Sequence, residues 1–181
     1  TALGLGTCWL GGTFRKAGFA RRVALGEDER LPAVSPLGYP AEKRSLVERA
    51  FRFIASSDRR KPWESLFFLG DFETVLTEAE ASLLAPALEA VRLGPSASNR
   101  QPWRVLKERK RDVFHFYLER TPGYDRMTTP VSLQEVDMGI AFCHFDLSAG
   151  ERGWKGKWTV DDPLIPGGNR EYRATWEGEK I

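Results

Sequence analysis

Long apolar runs are missing from this chain: no stretch approaches the roughly 20 residues that a membrane-spanning helix requires. Cysteine and histidine are scarce, two of each: Cys8 and Cys143, His115 and His144. So few ligands exclude a cysteine-rich zinc centre and a disulfide framework. Both cysteines sit among apolar neighbours in the sequence, so buried thiols in a reducing compartment are expected. An excess of either charge is missing too. Lys and Arg number 27 against 25 Asp and Glu, for a net charge of +2. That is too small to imply a nucleic-acid or membrane partner. The densest basic run, "KERKRD" over 107–112, carries two acids and reads as a solvated hairpin turn. The opening "TALGLG" lacks the charged start and apolar stretch of a signal peptide, and a cytoplasmic location is expected.

What is present describes a folded soluble protein: 181 residues, 41% hydrophobic and 29% charged, with six tryptophans. This length suits one domain, or two small halves sharing a core. "TALGLGTCWLGG" reads as a helix end running into a glycine loop, glycine being favoured just past a helix. That helix has no beginning in this sequence, so a fragment or processed form of a longer chain is expected.

The pattern along the chain mixes helices and strands without regular βαβ alternation, which predicts an α+β fold. Residues 14–25 are short and amphipathic, and "RLPAVSPLGYP" (30–40) gives a short strand and an exit loop. Leu46, Val47, Ala50, Phe51 and Ile54 have helical spacing within 42–57. Residues 59–72 are a connector with a basic head and an apolar tail. A helix is predicted over 76–94, opened by a Thr77–Glu80 capping box and disturbed by Pro86, with Leu83, Leu84, Ala87, Leu88 and Val91 buried. Residues 102–108 and 113–119 form a hairpin with Phe114, Phe116 and Leu118 on one face. A second capping box, Ser132 with Glu135, opens an apolar helix through 132–153. Ile140, Ala141, Phe142, Cys143 and Leu147 suit an interior, and His144 is expected to pack in it. Residues 172–176 look like a closing strand. One echo stands out. Gly4 and Gly153 each follow an apolar helix end, and each precedes a tryptophan by five positions. This suggests a duplication in which only the first copy kept its glycine loop.

Two segments can carry chemistry. Gly11 and Gly12 let bare backbone N–H groups approach a flat ligand, although glycines that merely end helices are common. In "GPSASNRQPW" (94–103), Ser96, Ser98 and Asn99 place two hydroxyls and a carboxamide on one tight bend. Such a bend suits a ring with carbonyl and imide edges. It is equally a polar helix-to-strand loop built from ordinary turn residues.

"PSASNRQPW" resembles the Pro-Ser-x-x-Asn-x-Gln-Pro-Trp signature of the FMN-dependent nitroreductase superfamily. "GLGTCWLGG" resembles that superfamily's flavin loop, and "LPAVSPLGYP" is similar to the strand and exit that follow it. Ordinary members carry these segments in the opposite order. The reversal, with "GTCWLGG", "RKPWESLFF", "PSASNRQPWR" and "DMGIAFCHF", resembles a branch in which two nitroreductase-like halves are fused in one chain. The resemblance implies an α+β nitroreductase-like fold, with a mixed, mostly antiparallel sheet and packed helices, arranged as a pseudo-dimer. Residues 1–58 would end the first half, and 59–181 would form the second.

It also implies a site for FMN between the halves. The Gly11 N–H would face the flavin, with Leu10 and Gly12 shaping the loop and Pro95, Ser96 and Asn99 contacting the ring and ribityl chain. Ala97 stands where many members carry a second serine. Arg60, beside Arg59 and Lys61, resembles the basic segment that holds the FMN phosphate, a role suited to a guanidinium fork; a solvent-exposed interdomain charge cluster is the other reading. The family's N-terminal arginine stretch would precede Thr1, and "KGKWTVDD" lacks a glycine loop, so at most one flavin is expected. The implied activity is NAD(P)H-dependent reduction of a nitro-aromatic, quinone or similar small-molecule acceptor, with no protein nucleophile. Asp137 and His144 are read as structural. The rival is a flavin-free or flavin-storing relative that keeps the fold for binding. Neither a nucleic acid nor a membrane is expected as partner, and the chain would be a monomeric pseudo-dimer or a weak homo-oligomer.

Overall fold

The computed structural model describes residues 3–11, 14–39, 59–124 and 131–181. Gly12 and the helix expected over 42–57 lie outside them. The chain divides into two compact units, Thr1–Asp58 with Pro122–Leu133, and Arg59–Thr121 with Gln134–Ile181.

In the first unit, β1 (Gly6–Thr7) pairs antiparallel with β2 (Leu37–Gly38). Between them lies α1 (Lys16–Arg22), with no buried residue. The ladder is extended by reciprocal bonds between Leu10 and Val34, each backbone N–H donating to the other's carbonyl at 2.9 and 3.0 Å. The strand expected in 30–40 is therefore present, and it frames the glycine loop.

The second unit is built on a five-stranded sheet: β3 (Phe67–Leu69), β4 (Trp103–Lys107), β5 (Val113–Glu119), β6 (Trp154–Thr159) and β7 (Arg170–Lys180). Their order is β3-β4-β5-β7-β6. Only β3–β4 is parallel, and the other three pairings are antiparallel. The predicted α+β class with a mostly antiparallel sheet is thus observed. β4 and β5 form the expected hairpin, with Val105 opposite Phe116. Residues 172–176 are a strand, as expected, and the last of the sheet in chain order. They belong to the long strand β7, and β6 takes the edge. Lys155 and Lys157 point outward there, which protects an edge from further pairing.

Helix formation in 76–94 is interrupted. The Thr77–Glu80 capping box is made, opening α2 (Glu78–Ala81). Ser82 then turns left-handed, at φ +52°. After a short 3-10 turn, α3 (Ala85–Leu93) begins with Pro86 in its first turn, where a missing N–H costs nothing. The break rotates Leu83 outward to 52% exposure, while Leu84, Ala87, Leu88 and Val91 stay buried.

The long helix α4 (Leu133–Gly150) buries Gln134, Asp137, Met138, Ala141, Phe145 and Ala149. It packs on Phe114, Phe116, Trp103, Leu88 and Val91 in the main core. Its opposite side corrects the sequence reading: Cys143 is exposed, as is Cys8, and Leu147 is 64% exposed. A helix apolar on all sides cannot bury every side against one sheet. His144 packs as expected, with Nδ1 at 2.9 Å from the Ala90 carbonyl.

Candidate functional site

The bend that joins α3 to β4 collects the second unit's predicted site residues. Gly94 ends α3, its N–H donating to the Val91 carbonyl. Ser96 is extended, and a 3-10 turn follows over Ala97–Asn99. Ser98, Asn99 and Gln101 all adopt positive φ, at +48°, +54° and +48°. A left-handed residue other than glycine costs roughly 1 kcal/mol or more. Three within four positions must be held by their surroundings.

Several bonds do so. The Asn99 N–H donates to the Ser96 carbonyl, the Arg100 N–H to Ala97, and the Gln101 N–H to Ser96 Oγ at 2.8 Å. From α4, Asp137 Oδ1 accepts the Ala97 N–H at 2.9 Å. The bend is also tied to the basic segment. Asn99 Nδ2 donates to the Arg59 carbonyl at 2.7 Å. Asn99 Oδ1 accepts from Arg60 Nη1 at 3.1 Å and from Gln101 Nε2 at 3.0 Å. Gln101 Oε1 accepts the Lys61 N–H at 2.7 Å, and Arg60 Nε donates to the Leu93 carbonyl at 3.2 Å. Ser96, Asn99 and Arg60 therefore lie in one hydrogen-bonded cluster, with the exposed Pro95 beside Ser96 in the chain, and the cluster's carboxamides face the protein's own backbone.

Lys61 gives this cluster its electrostatic character. Its Nζ makes no hydrogen bond or ion pair among the described residues. Burial, helped by the nearby Arg104 and Arg100 guanidinium groups, pulls its pKa down to about 8, against a weaker pull from Glu119. Arg104 is itself buried and paired with Glu119 at 2.6 Å. A part-buried ammonium among other cations is the donor set that a phosphate or another compact anion fits.

Leu10 and Gly11 belong to the first unit. There, the Leu10–Val34 bonds set the loop, and Ser35 Oγ donates to the Cys8 carbonyl at 3.0 Å. A Cβ at Gly11 would come within 2.7 Å of Leu133 Cδ1. The missing side chain at this position is thus explained by close packing against a flexible leucine tip.

Three residues of the cluster went unselected by sequence reasoning. Gln101 stood inside the quoted signature, and its two-ended amide was the available signal. In the sequence Lys61 is only a neighbour of Arg60. Asp137 has the pattern of a structural residue, and nothing in its helical spacing places it under the bend.

The family described as "Putative TM nitroreductase" matches residues 1–149. No curated protein matches this chain. Among solved structures, a "putative nitroreductase" from Thermotoga maritima is 21% identical, with a TM-score of 0.54 over 97% of this chain and 55% of that one. This chain therefore spans about half the length of that relative. The nitroreductase CinD from Lactococcus lactis, solved with 4-nitrophenol, is 18% identical over 71% of this chain and 89% of that one, with a TM-score of 0.47. The likeness to the Thermotoga structure shows a shared fold, and the family match over residues 1–149 shows descent: the chain belongs to this nitroreductase family.

Proposed function

We propose that this chain is part of an FMN-dependent oxidoreductase that passes electrons from NAD(P)H to a nitro-aromatic, quinone or similar acceptor. The observation that carries the reading is the cluster of Asn99, Gln101, Arg60 and Lys61, in which a strained polar bend is bonded to a cationic segment whose Lys61 ammonium has no partner among the described residues. Arg60 and Lys61 would hold the phosphate. Pro95, Ser96 and Asn99 would line the ring and ribityl chain, and the loop at Leu10, Gly11 and Gly12 would present backbone N–H groups to the flavin. FMN, when bound, supplies the hydride chemistry, and the protein supplies orientation and electrostatics. No acid–base pair of the chain is needed. Halves 1–58 and 59–181 would make the chain a pseudo-dimer, in a cytoplasmic protein.

Titration with FMN and with riboflavin tests the reading, because the two ligands differ only in the phosphate. Arg60→Gln should weaken FMN by about tenfold, the loss of roughly one charge-assisted hydrogen bond, and leave riboflavin nearly unchanged. Equal losses for both ligands would assign Arg60 to holding the bend and not the phosphate.

A flavin-free binding role is the second reading. The bonds of Asn99 and Gln101 to the Arg59 carbonyl and the Lys61 N–H favour it, since a bend satisfied from within does not need a ligand. Full-length protein that stays colourless once excess FMN is washed away would decide for it.

A further inference from the structure

Beneath the bend lies a carboxyl group that the oxidoreductase reading does not use. Asp137 is 3% exposed. Its Oδ1 accepts the Ala97 N–H at 2.9 Å, and its Oδ2 is buried with no hydrogen-bond partner among the described residues. We propose that Asp137 is the positioning residue of the bend: its carboxyl group fixes Ala97 and, through it, the left-handed run that sets Asn99 and Gln101 on the basic segment. This rests on the reading of the bend as a flavin site.

Burial favours the neutral acid. An ionised carboxylate with one oxygen unpartnered in a buried site is costly, whereas a protonated one still offers Oδ1 as acceptor. Burial drives the group up to about pH 7, and the Ala97 bond opposes the rise only in part. Charged groups on the neighbouring elements do not offset this. On its own helix, Glu135 is held by Arg120 and Arg173, and His144 is bound to the Ala90 carbonyl. Arg100 on the bend and Arg60 and Lys61 on the basic segment form no salt bridge with it among the described residues. Above pH 7 the carboxylate draws in water, and the hold on Ala97 loosens.

The test compares the full chain with Asp137→Asn, which imitates the neutral acid, and Asp137→Ala, which removes the acceptor. Without ligand, the Ala97 amide proton resonance should move with a midpoint near pH 7 in the parent chain and stay still in Asp137→Asn. With FMN, parent affinity relative to Asp137→Asn should fall by about tenfold between pH 6 and pH 8, the neutral fraction setting the competent population. That ratio cancels the titration of the FMN phosphate. Asp137→Ala should bind about tenfold more weakly at every pH. If it fails to fold, the resonance and the Asn variant still decide the question. An unmoving Ala97 resonance in the parent, or Asp137→Asn binding FMN as poorly as Asp137→Ala, overturns the inference. A titrating Ala97 in a chain that never binds FMN sinks the flavin reading and leaves the positioning role standing.

Discussion

Trp176 shows how much one side chain can demand of its neighbours. Its ring is fully buried, with Nε1 donating to Asp146 Oδ1 at 2.9 Å. It lies against two glycines, one on the edge strand β6 and one on its neighbour β7. A Cβ at Gly156 would fall 1.9 Å from the indole, and one at Gly178 would fall 2.1 Å away. Gly156→Ala and Gly178→Ala should each lower stability by roughly 1–3 kcal/mol, the usual cost of overpacking, read as an earlier midpoint in urea. Lys61 makes the second prediction at this scale. Its pKa is lowered from 10.5 to about 8 by burial first, so the unfolded chain holds that proton more tightly than the folded one. Stability should therefore rise from pH 8 to about pH 10.5. The rise should vanish in Lys61→Met, as chemical denaturation at several pH values would show. An anion seated on Lys61 would favour the charged form, so phosphate-bearing ligands should bind best below pH 8. None of this is written in "RRKP" itself, because burial and the approach of Arg104 are products of the fold.

At the scale of elements, local rules held wherever the chain could satisfy them alone. The Thr77–Glu80 box is complete, with Thr77 Oγ1 accepting the Glu80 N–H at 3.2 Å and Glu80 Oε2 accepting the Thr77 N–H at 2.9 Å. Thr77→Ala should cost about 1 kcal/mol, shifting the denaturant midpoint without changing the slope. The hairpin around 107–112 was legible because alternation and a polar turn are sequence-local signals. β3 was not, since Phe67–Leu69 is a short apolar run that becomes a strand only through parallel pairing with β4. Nor was the role of Glu135. It sits where a capping partner is expected, yet its carboxylate also accepts from Arg173 Nε and Nη2 and from Arg120. Those arginines come from β7 and the end of β5, and no spacing along α4 announces them.

Across the whole molecule, the echo between Gly4 and Gly153 has a conformational counterpart. Both glycines are left-handed, at φ +67° and +77°. Each leads into a strand that pairs antiparallel with a later one, β1 with β2 and β6 with β7. Among the described residues no atom crowds a Cβ at Gly4, and at Gly153 only the Ile181 carbonyl oxygen lies within 4 Å. Gly4→Ala and Gly153→Ala should therefore cost about 1 kcal/mol each through backbone strain alone, measured by thermal or urea unfolding. A cost at only one of them would argue that the two segments are alike in sequence and not in structural role.

The amino-acid order alone determined the α+β class, the capping box at Thr77, the central hairpin and the residues of the polar bend. These depend on contacts a few residues apart, where propensity and side-chain reach suffice. The fold alone decided that Asn99 and Gln101 bond to the basic segment, that Asp137 sits beneath Ala97 and holds its N–H, and that Lys61 stands among cations. Those juxtapositions join residues some 40 positions apart, and only the packing of α3, α4 and the sheet brings their charges and dipoles within reach of one another.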